Sequence, residues 1–390
     1  MGAHSAQCVF PLLMAAVLGF GGLQAAAAAP EYRVTVVGPP DSRANGINNA
    51  GVVVGTYPAN VPVQRGFMSR GRGYIDLGAI GVSSSATAIN DRGQIVGNWR
   101  TADGQGRGVI WFRGERRDIG KLPGSAATRF TGINNAGYTV ALALRNDIQR
   151  SFLRTPGGAY LDLGDLSPVP VSITEGHAIN NRNQITGASG EFSTPEIPFR
   201  AFLWTRGVMR DLGDAGLTPN EGNDINDRGQ VTGYVAVPDD THSRIAFIYT
   251  HGRLQDIDGR PAGRDRYSQG QGINNRGHAV GDSNHLSGWV YRGRRMESIN
   301  ALIDPASGWR IQLPRDINDA GQIAATGERN GQLYAVRLDP IRPSLDAMPD
   351  IDADAGLPLQ DTPLSPGQAA EEARLDAEAQ AREVVQPVRQ

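Results

Sequence analysis

The stretch Ala88–Gly97, "AINDRGQIVG", contains the pattern that decides the fold. In this pattern Ile-Asn is followed by two residues, usually a Gly, and then an alternating apolar stretch. The seven copies in the chain read "INNAGVVVG", "INDRGQIVG", "INNAGYTVA", "INNRNQITG", "INDRGQVTG", "INNRGHAVG" and "INDAGQIAA". They begin at Ile47, Ile89, Ile133, Ile179, Ile225, Ile273 and Ile317, at spacings of 42, 44, 46, 46, 48 and 44 residues. A period of ~40 to 50 residues with strand-like units predicts a β-propeller.

Each repeat resolves into four strands, which we name A, B, C and D. The fifth copy shows them best as "NDIN", "QVTGYVAV", "RIAFIYT" and "RLQDI", separated by turns or loops. The chain also has 50 Gly and 24 Pro residues, many of them between short apolar runs, which indicates many turns. We therefore predict an all-β, seven-bladed β-propeller of four-stranded blades over residues 30–340. An open solenoid of β-sheets is the alternative.

The A–B turn is predicted to contain one residue in the left-handed backbone region. Asn or Asp leads the turn, and a Gly usually fills the position that requires a positive φ. In the fourth copy this Gly is replaced by Asn183, the next most tolerant residue in that conformation.

The two ends of the repeat region predict how the ring closes. The seventh copy reaches "QLYAVRLDP" and then lacks a D strand, while the chain opens with an unpaired "YRVTVV" at Tyr32–Val37. We predict that this opening strand forms the outer edge of the last blade. Closure of this kind ties both ends of the chain to one blade and removes an exposed edge.

Two flanking segments are predicted to lie outside the propeller. Residues 1–29 contain a short apolar run followed by small residues, which is typical of a secretory signal peptide, although an uncleaved anchor is the alternative. Residues 341–390 are rich in Pro, Asp, Ala and Glu and are predicted to be a disordered tail with a solvated helix over 367–385. A segment that folds on docking to a partner is the alternative for this helix.

Charge and cysteine content exclude several classes of function. The formal net charge is −2 and Lys121 is the single Lys, so no dense basic stripe suits a phosphate backbone, and we predict no nucleic-acid partner. The only Cys is Cys8, so the mature chain has no thiol for disulfides, metal sites or catalysis. Zinc-ligand spacings, calcium loops and dinucleotide fingerprints are missing, so we predict no metal, no cofactor and no catalytic residue. No second apolar run of ~18 residues predicts a membrane span in the mature chain.

The connections between strands predict which face of the disc binds a ligand. The A–B and C–D turns share one face and are short and uniform, whereas the B–C and D–A connections share the other face and vary widely in length and composition. Variable loops on a rigid scaffold are where binding sites usually occur. We therefore predict that the B–C and D–A face carries the site.

Equivalent positions before each repeat Ile are predicted to form rings around the channel on that face. Two residues before Ile are Asn45, Thr87, Thr131, His177, Asn223, Gln271 and Arg315, which are polar in every copy. Four residues before Ile are Arg43, Ser85, Arg129, Glu175, Glu221, Gln269 and Leu313. The Asn that follows each repeat Ile is predicted to be structural, because Asn beside a tight turn typically bonds nearby backbone.

The candidate ligand-binding residues come from these rings and one connection. They are Arg129, Glu175, His177, Glu221, Asp224, Gln271, Trp309 and Arg315. Pseudo-symmetry predicts that Glu175, His177, Glu221 and Asp224 lie close together and could hold a divalent or organic cation, with a hydrated polar channel as the alternative. Trp309, in the long connection before the seventh repeat, could stack on a sugar ring or anchor a partner.

The repeat units resemble the HAF-repeat family of predicted extracellular proteins. The resemblance covers roughly residues 31–340 and is strongest in "RAFLWTRGVMRDLGD" (Arg200–Asp214) and "YIDLGAIGVSSSATAINDRGQIVG" (Tyr74–Gly97). Arg200 stands where the His that names the family is expected. The resemblance implies a repeat fold and export, and it implies no established activity.

Two functional hypotheses remain open from the sequence. The first is a non-catalytic extracytoplasmic recognition or scaffold module that binds a protein or a cell-surface polysaccharide of the bacterial envelope. The second is a propeller enzyme, a lyase or hydrolase, that acts at the channel mouth, which would require two converging acid–base groups. In either case we predict a monomer that is secreted or periplasmic.

Overall fold

The computed structural model shows a seven-bladed β-propeller of four-stranded antiparallel blades, as predicted. It describes residues 29–60, 63–146, 148–167, 172–191, 199–213, 220–237, 240–260 and 266–342. The predicted signal peptide and nearly all of the predicted tail lie outside these described residues, so both stay predictions. Within the described part, no helix is long and apolar enough to cross a membrane.

The strands follow one another from the channel outward in each blade. Blade 1 contains β2 (Arg43–Ile47), β3 (Val53–Asn60), β4 (Val63–Ser69) and β5 (Ile75–Asp76). Blade 2 contains β6 (Ser83–Ile89), β7 (Ile95–Arg100), β8 (Gly106–Phe112) and β9 (Glu115–Gly120). Blade 3 contains β10 (Ala127–Ile133), β11 (Thr139–Arg145), β12 (Ile148–Arg154) and β13 (Tyr160–Asp162). Blade 4 contains β14 (Ile173–Ile179), β15 (Ile185–Gly190), β16 (Arg200–Thr205) and β17 (Val208–Asp211).

The remaining blades follow the same order, with one change in the last. Blade 5 contains β18 (Asn220–Ile225), β19 (Val231–Val237), β20 (Asp240–Thr250) and β21 (Arg253–Asp256). Blade 6 contains β22 (Ser268–Ile273), β23 (Ala279–Ser283), β24 (Ser287–Arg292) and β25 (Arg295–Ser298). Blade 7 contains β26 (Trp309–Ile317), β27 (Ile323–Arg329), β28 (Gln332–Pro340) and β1 (Tyr32–Pro40). Helix α1 (Ile299–Leu302) and a 3-10 turn (Pro305–Ser307) connect blades 6 and 7.

The A–B turns adopt the conformation that the repeat predicts. At the position that is usually Gly, φ is positive in every blade, from 57° at Asn183 to 88° at Gly137. Gly enters this region without a steric penalty, and Asn is among the residues that tolerate it best. The turn therefore explains both the repeated Gly and its single replacement by Asn.

β1 closes the ring as predicted. It pairs antiparallel with β28, from Tyr32 opposite Pro340 to Val36 opposite Val336. The N–H of Ile341 donates to the carbonyl of Glu31 at 2.8 Å, so the two ends of the described ring lie side by side.

Seven clusters of buried apolar side chains fill the seven seams between neighbouring blades. At the closing seam, Val37 of β1 and Ala335 of blade 7 pack with Val53 and Phe67 of blade 1. The closing seam is thus packed by the same kind of contact as the six other seams.

One Asn per blade joins the blades around the channel through its side chain. In blade 3, Nδ2 of Asn134 donates to the carbonyl of Asn180 in blade 4 at 3.1 Å, while its Oδ1 accepts the N–H groups of Ala136 and Tyr138. The same bond to the next blade occurs at every seam, at 2.8–3.1 Å. We call this the Asn ring; its members, all buried, are Asn48, Asn90, Asn134, Asn180, Asn226, Asn274 and Asn318. The predicted structural role of these residues is therefore confirmed, and it extends from the turn to the seams.

The following residue of each turn forms a second closed ring. Its Oδ1 accepts the backbone N–H of the equivalent residue in the preceding blade, at 2.8–2.9 Å. In order around the channel the members are Asn49, Asp91, Asn135, Asn181, Asp227, Asn275 and Asp319. No two carboxylates are neighbours, and Asn Nδ2 groups donate to the Oδ2 of each Asp. This order reduces repulsion between like charges.

The closing seam can be tested with one buried charge. We expect Val37→Asp to lower the free energy of unfolding by about 3–5 kcal/mol, because a carboxylate at this fully buried position has no partner. Val36→Asp, on the same strand but 37% exposed, should change it by less than about 0.5 kcal/mol. Urea unfolding followed by circular dichroism measures both, and equal effects of the two variants would contradict a sealed closing seam.

The Asn ring can be tested with an isosteric substitution. We expect Asn134→Asp to lower the free energy of unfolding by about 2–4 kcal/mol at pH 7, because the carbonyl of Asn180 loses its donor and meets a buried negative charge. Ala136→Asp adds the same charge to an exposed position of the same turn and is the control. Wild-type stability of Asn134→Asp in urea unfolding would show that the seams do not depend on this bond.

Candidate functional site

Two polar cavities divide the central channel. The mouth cavity, on the side of the B–C and D–A connections, has a volume of about 190 Å³ and is lined by all seven residues that lie two positions before a repeat Ile. The turn cavity, on the side of the A–B turns, has a volume of about 160 Å³ and is lined by the Asn ring and the second ring. Asp224 and Asp316 line both cavities, as do Ile89, Ile133 and Ile179, and we call this shared level the waist.

The two carboxyl groups at the waist join neighbouring blades. Five blades have Gly or Ala directly before the repeat Ile, whereas blades 5 and 7 have Asp224 and Asp316. Each carboxylate accepts the N–H of its own repeat Ile and of the repeat Ile in the next blade, at 2.7–2.9 Å. Asp316 forms this bridge across the closing seam, from blade 7 to Ile47 of blade 1.

The environment of these carboxyl groups favours their protonated forms. Burial raises the pKa of Asp316 to about 6. Burial, together with the negative charge of Asp316, raises the pKa of Asp224 well above its usual range. The pair therefore retains a proton at mildly acidic pH, where exposed Asp side chains are ionised.

Most members of the ring at the mouth bond to the next blade. Four side chains donate to the backbone carbonyl three residues before the next repeat Ile, at 2.7–3.0 Å: those of Asn45, Thr87, Thr131 and Asn223. Nδ1 of His177 lies 3.0 Å from the equivalent carbonyl, that of Gly222. Gln271 and Arg315 depart from this rule, because Arg315 donates to Oε1 of Gln271 at 2.9 Å and joins blades 6 and 7 through side chains alone.

A connected set of polar side chains runs from blade 3 to blade 7, and its members His177, Gln271 and Arg315 line the mouth cavity. We call this set the mouth belt; it consists of Arg129, Gln149, Glu175, His177, Glu221, Tyr234, Arg244, Gln269, Asp282, Gln271 and Arg315.

Gln149 connects the blade 3 and blade 4 parts of the mouth belt. Its Oε1 accepts from Arg129 at 3.3 Å, and its Nε2 donates to Glu175 at 2.5 Å. The second carboxylate oxygen of Glu175 lies 3.7 Å from Nε2 of His177. Both nitrogens of the His177 ring therefore face acceptors, which favours the charged imidazolium.

The charges around His177 act on its pKa in opposite directions. Burial alone would lower the pKa of His177, but the hydrogen bond with Glu175 and the negative charge of Glu221 outweigh it and raise that pKa above its usual value. In return, the hydrogen bond from His177 holds the pKa of Glu175 below its usual value. Both shifts favour an ion pair between His177 and Glu175, with the carboxylate of Glu221 beside it.

In blade 5, Glu221 continues the mouth belt to Tyr234 and Arg244. The Tyr234 hydroxyl donates to Glu221, and burial together with that carboxylate raises the pKa of Tyr234. The guanidinium of Arg244 stacks on the Tyr234 ring, with its Cζ 4.1 Å from the ring centroid. Arg244 also donates to Oε1 of Gln269 at 3.3 Å and so reaches blade 6.

In blade 6, the carboxylate of Asp282 joins two glutamine side chains of the mouth belt. It accepts from Nε2 of Gln269 at 3.1 Å and from Nε2 of Gln271 at 3.3 Å, and it is 8% exposed. Gln271 in turn accepts a hydrogen bond from Arg315 of blade 7. Because its side chains are fixed by hydrogen bonds or stacking with their neighbours, the mouth belt is a pre-organised polar rim.

One member of the predicted constellation lies elsewhere. The structure brings Glu175, His177 and Glu221 together, but it places Asp224 at the waist, bound to backbone N–H groups. Asp224 lines the mouth cavity together with His177, but its printed bonds are to backbone and not to the other three side chains. Asp224 directly follows the β-bulge that every blade has at this position, and its carboxylate is within reach of the N–H groups of two repeat Ile residues.

The predicted loop position of Trp309 is wrong. Gly308, with φ of 69°, ends the 3-10 turn, and Trp309 begins β26 opposite Arg329. Its ring meets Tyr334 edge to face at a centroid distance of 5.8 Å, and the Cζ of Arg329 lies 5.6 Å from the ring centroid. Trp309 thus packs on blade 7 and is only partly exposed.

Several site residues were missed by counting along strand A alone. Tyr234 and Asp282 stand on strand B, opposite Glu221 and Gln269, and Gln149 and Arg244 stand on strand C. The strand B positions follow the Gly that ends most repeats, so the antiparallel register would have identified them. Asp316 was identifiable by comparison with Asp224, since both directly precede a repeat Ile.

Among the described residues, no group of three or more His, Cys, Asp or Glu side chains is arranged to hold a metal ion. The paired waist carboxylates are bound to backbone N–H groups, and Glu175 is bound to His177 and Gln149. What this geometry offers a ligand is a set of alternating hydrogen-bond donors and acceptors.

Comparison with known proteins supports the fold. Neither the protein-family models nor the curated proteins give a match to this sequence. The β-propeller domain of the Trilobed protease from Pyrococcus furiosus is similar, with 9% identity, a TM-score of 0.52 and coverage of 77% of this chain and 96% of that one. A catalytically inactive virginiamycin B lyase from Staphylococcus aureus, with quinupristin, is similar at 13% identity, a TM-score of 0.50 and coverage of 80% and 100%. The archaeal domain has an open velcro topology, whereas β1 and β28 are paired here.

The raised pKa of Asp316 predicts a pH-dependent stability. A carboxyl whose folded pKa lies near 6 contributes stability below its unfolded pKa near 4, and this contribution is lost as the pH rises through about 6. We expect the melting temperature of the wild type to fall relative to that of Asp316→Asn between pH 4 and 7. Thermal melts across this range measure it, with Glu115→Gln, at an exposed position, as the control. Parallel pH profiles of wild type and Asp316→Asn would contradict the raised pKa.

Proposed function

We propose that the protein is a non-catalytic recognition module that binds an envelope ligand, a protein or a cell-surface polysaccharide, through the B–C and D–A face. The observation that carries this proposal is the mouth belt. It is a half-buried polar rim, fixed by bonds between blades 3 to 7, at the mouth of a channel within a closed ring. A rigid rim of this kind binds with little loss of conformational entropy.

The proposal places the protein outside the cytoplasm of a bacterium, secreted or periplasmic, as a monomer. Two features support this placement: the signal-like residues 1–29 and the resemblance of the repeats to the HAF-repeat family. The monomer rests on the closed ring, since the D strand missing from the seventh repeat is supplied by β1 of the same chain.

The proposal can be tested by capture from the envelope fraction of the source bacterium. The double variant His177→Ala/Glu221→Ala removes two adjacent members of the mouth belt. We expect wild type to retain one protein or glycan and the double variant to lose it, because the centre of the polar rim is missing. Mass spectrometry and glycan analysis of the eluates measure the retained component.

The control carries its change on the opposite face. Arg92→Ala alters an exposed side chain of an A–B turn and should retain the same component as wild type. A thermal melt of each variant excludes unfolding as the cause of a loss. Equal retention by wild type and the double variant, or loss in the control, would contradict binding at the mouth.

A further inference from the structure

The charged groups of the mouth belt alternate in sign around the channel. From blade 3 to blade 7 they are a guanidinium, a carboxylate, an imidazolium, a carboxylate, a guanidinium, a carboxylate and a guanidinium. Neutral amides of Gln149, Gln269 and Gln271 stand between several of them. A ligand group of either charge would therefore gain attraction from one neighbour and repulsion from the next.

A hydroxyl group fits this alternation better than a charge. Each hydroxyl supplies one donor and two acceptor sites, so adjacent hydroxyls can donate to a carboxylate such as Glu221 and accept from a guanidinium such as Arg244, both of which contact Tyr234. Hydrogen bonds with an ionised partner are the stronger ones. The mouth belt is therefore complementary to a neutral molecule that carries many hydroxyl groups.

The mouth cavity limits how much of such a molecule can enter. Its volume of about 190 Å³ is smaller than the ~300–1,000 Å³ of pockets that enclose drug-sized ligands. The waist at Asp224 and Asp316 ends this cavity within the channel. One ring-sized unit can enter from the mouth, and the rest of a longer ligand must stay on the outer face.

Among the described residues, the mouth offers little of the apolar surface that a protein partner prefers. The cores of protein interfaces are depleted in charge and rich in apolar and aromatic side chains. The large apolar side chains exposed in the described part of the chain are Val36, Tyr74, Ile75, Val82, Val208 and Ile341. None of them belongs to the mouth belt, whose one stacked aromatic, Tyr234, is already covered by Arg244.

We infer that the ligand of the mouth belt is a neutral saccharide that inserts one terminal sugar residue into the mouth cavity. This inference rests on the proposed function and narrows its two ligand classes to one. His177, Gln271 and Arg315 line the cavity and contact the inserted sugar residue, and the carboxylates of Glu175 and Glu221, beside the cavity, accept from hydroxyls of the part that stays outside.

The inference can be tested on a printed array. The array carries neutral oligosaccharides of glucose, galactose and mannose, matched oligomers with uronic acids or amino sugars, and short peptides. We expect the purified protein to bind neutral oligosaccharides only. Glu221→Gln, which keeps the shape and removes the charge, should weaken this binding about tenfold, because a charge-assisted acceptor becomes a neutral one.

Two further variants complete the design. Glu175→Gln should weaken binding in the same way and keeps the test valid if Glu221→Gln fails to fold. Arg92→Gln, on the turn face, should bind as wild type does. Blocking the terminal sugar of a bound oligosaccharide should abolish its binding, whereas changes at the other end should not.

The outcomes separate the inference from the proposed function. Preference for acidic or basic sugars, binding to peptides alone, or no binding to any neutral oligosaccharide overturns the saccharide inference. In each of these cases the capture experiment still decides the recognition module, since a protein that is retained by wild type and lost by His177→Ala/Glu221→Ala would support it. If the array shows no binding to a neutral oligosaccharide and the capture yields no component that wild type retains and the double variant loses, both the saccharide inference and the proposed function are overturned.

Discussion

The geometry of the channel depends on the hydrogen bond from each member of the Asn ring to the carbonyl of the next. Seven equivalent bonds set nearly the same distance between all the inner strands at the turn face. Each Asn also satisfies two N–H groups of its own turn, so replacing it leaves several buried polar groups unpaired, which is costly. A side chain of another length could not serve both the turn and the seam.

This constraint divides the molecule into a fixed face and a variable face. At the turns every blade repeats one geometry, and even the second ring keeps its three carboxylates apart. At the mouth the blades share only the interblade bond, and blades 6 and 7 replace it with the pair Gln271 and Arg315. Differences between blades therefore collect at the mouth, and the ring remains rigid enough there to hold them in place.

The fold was predictable from the repeat, and the site only partly. The turn residues and the unpaired Tyr32–Val37 specify blade number and closure, since both follow from local backbone chemistry. Glu175 and His177 were found by counting back from a repeat Ile, but Tyr234 and Arg244 enter the site across the sheet, where strand register decides. The backbone bonds of Asp224 and the start of β26 at Trp309 were not predictable from the repeat, because both depend on backbone geometry that residue spacing does not show.

The pairing of β1 with β28 also sets how the ring responds to mechanical load. Glu31 and Ile341 leave the ring side by side, on neighbouring antiparallel strands. Tension between these two points acts perpendicular to the strands and breaks their hydrogen bonds one after another, as a zip opens. A force on one end alone, with the ring held by its face, loads all the bonds between the two strands in shear at once. The pairing of β1 with β28 therefore resists poorly a force that pulls its two ends apart. It resists well a force that pulls on one end alone.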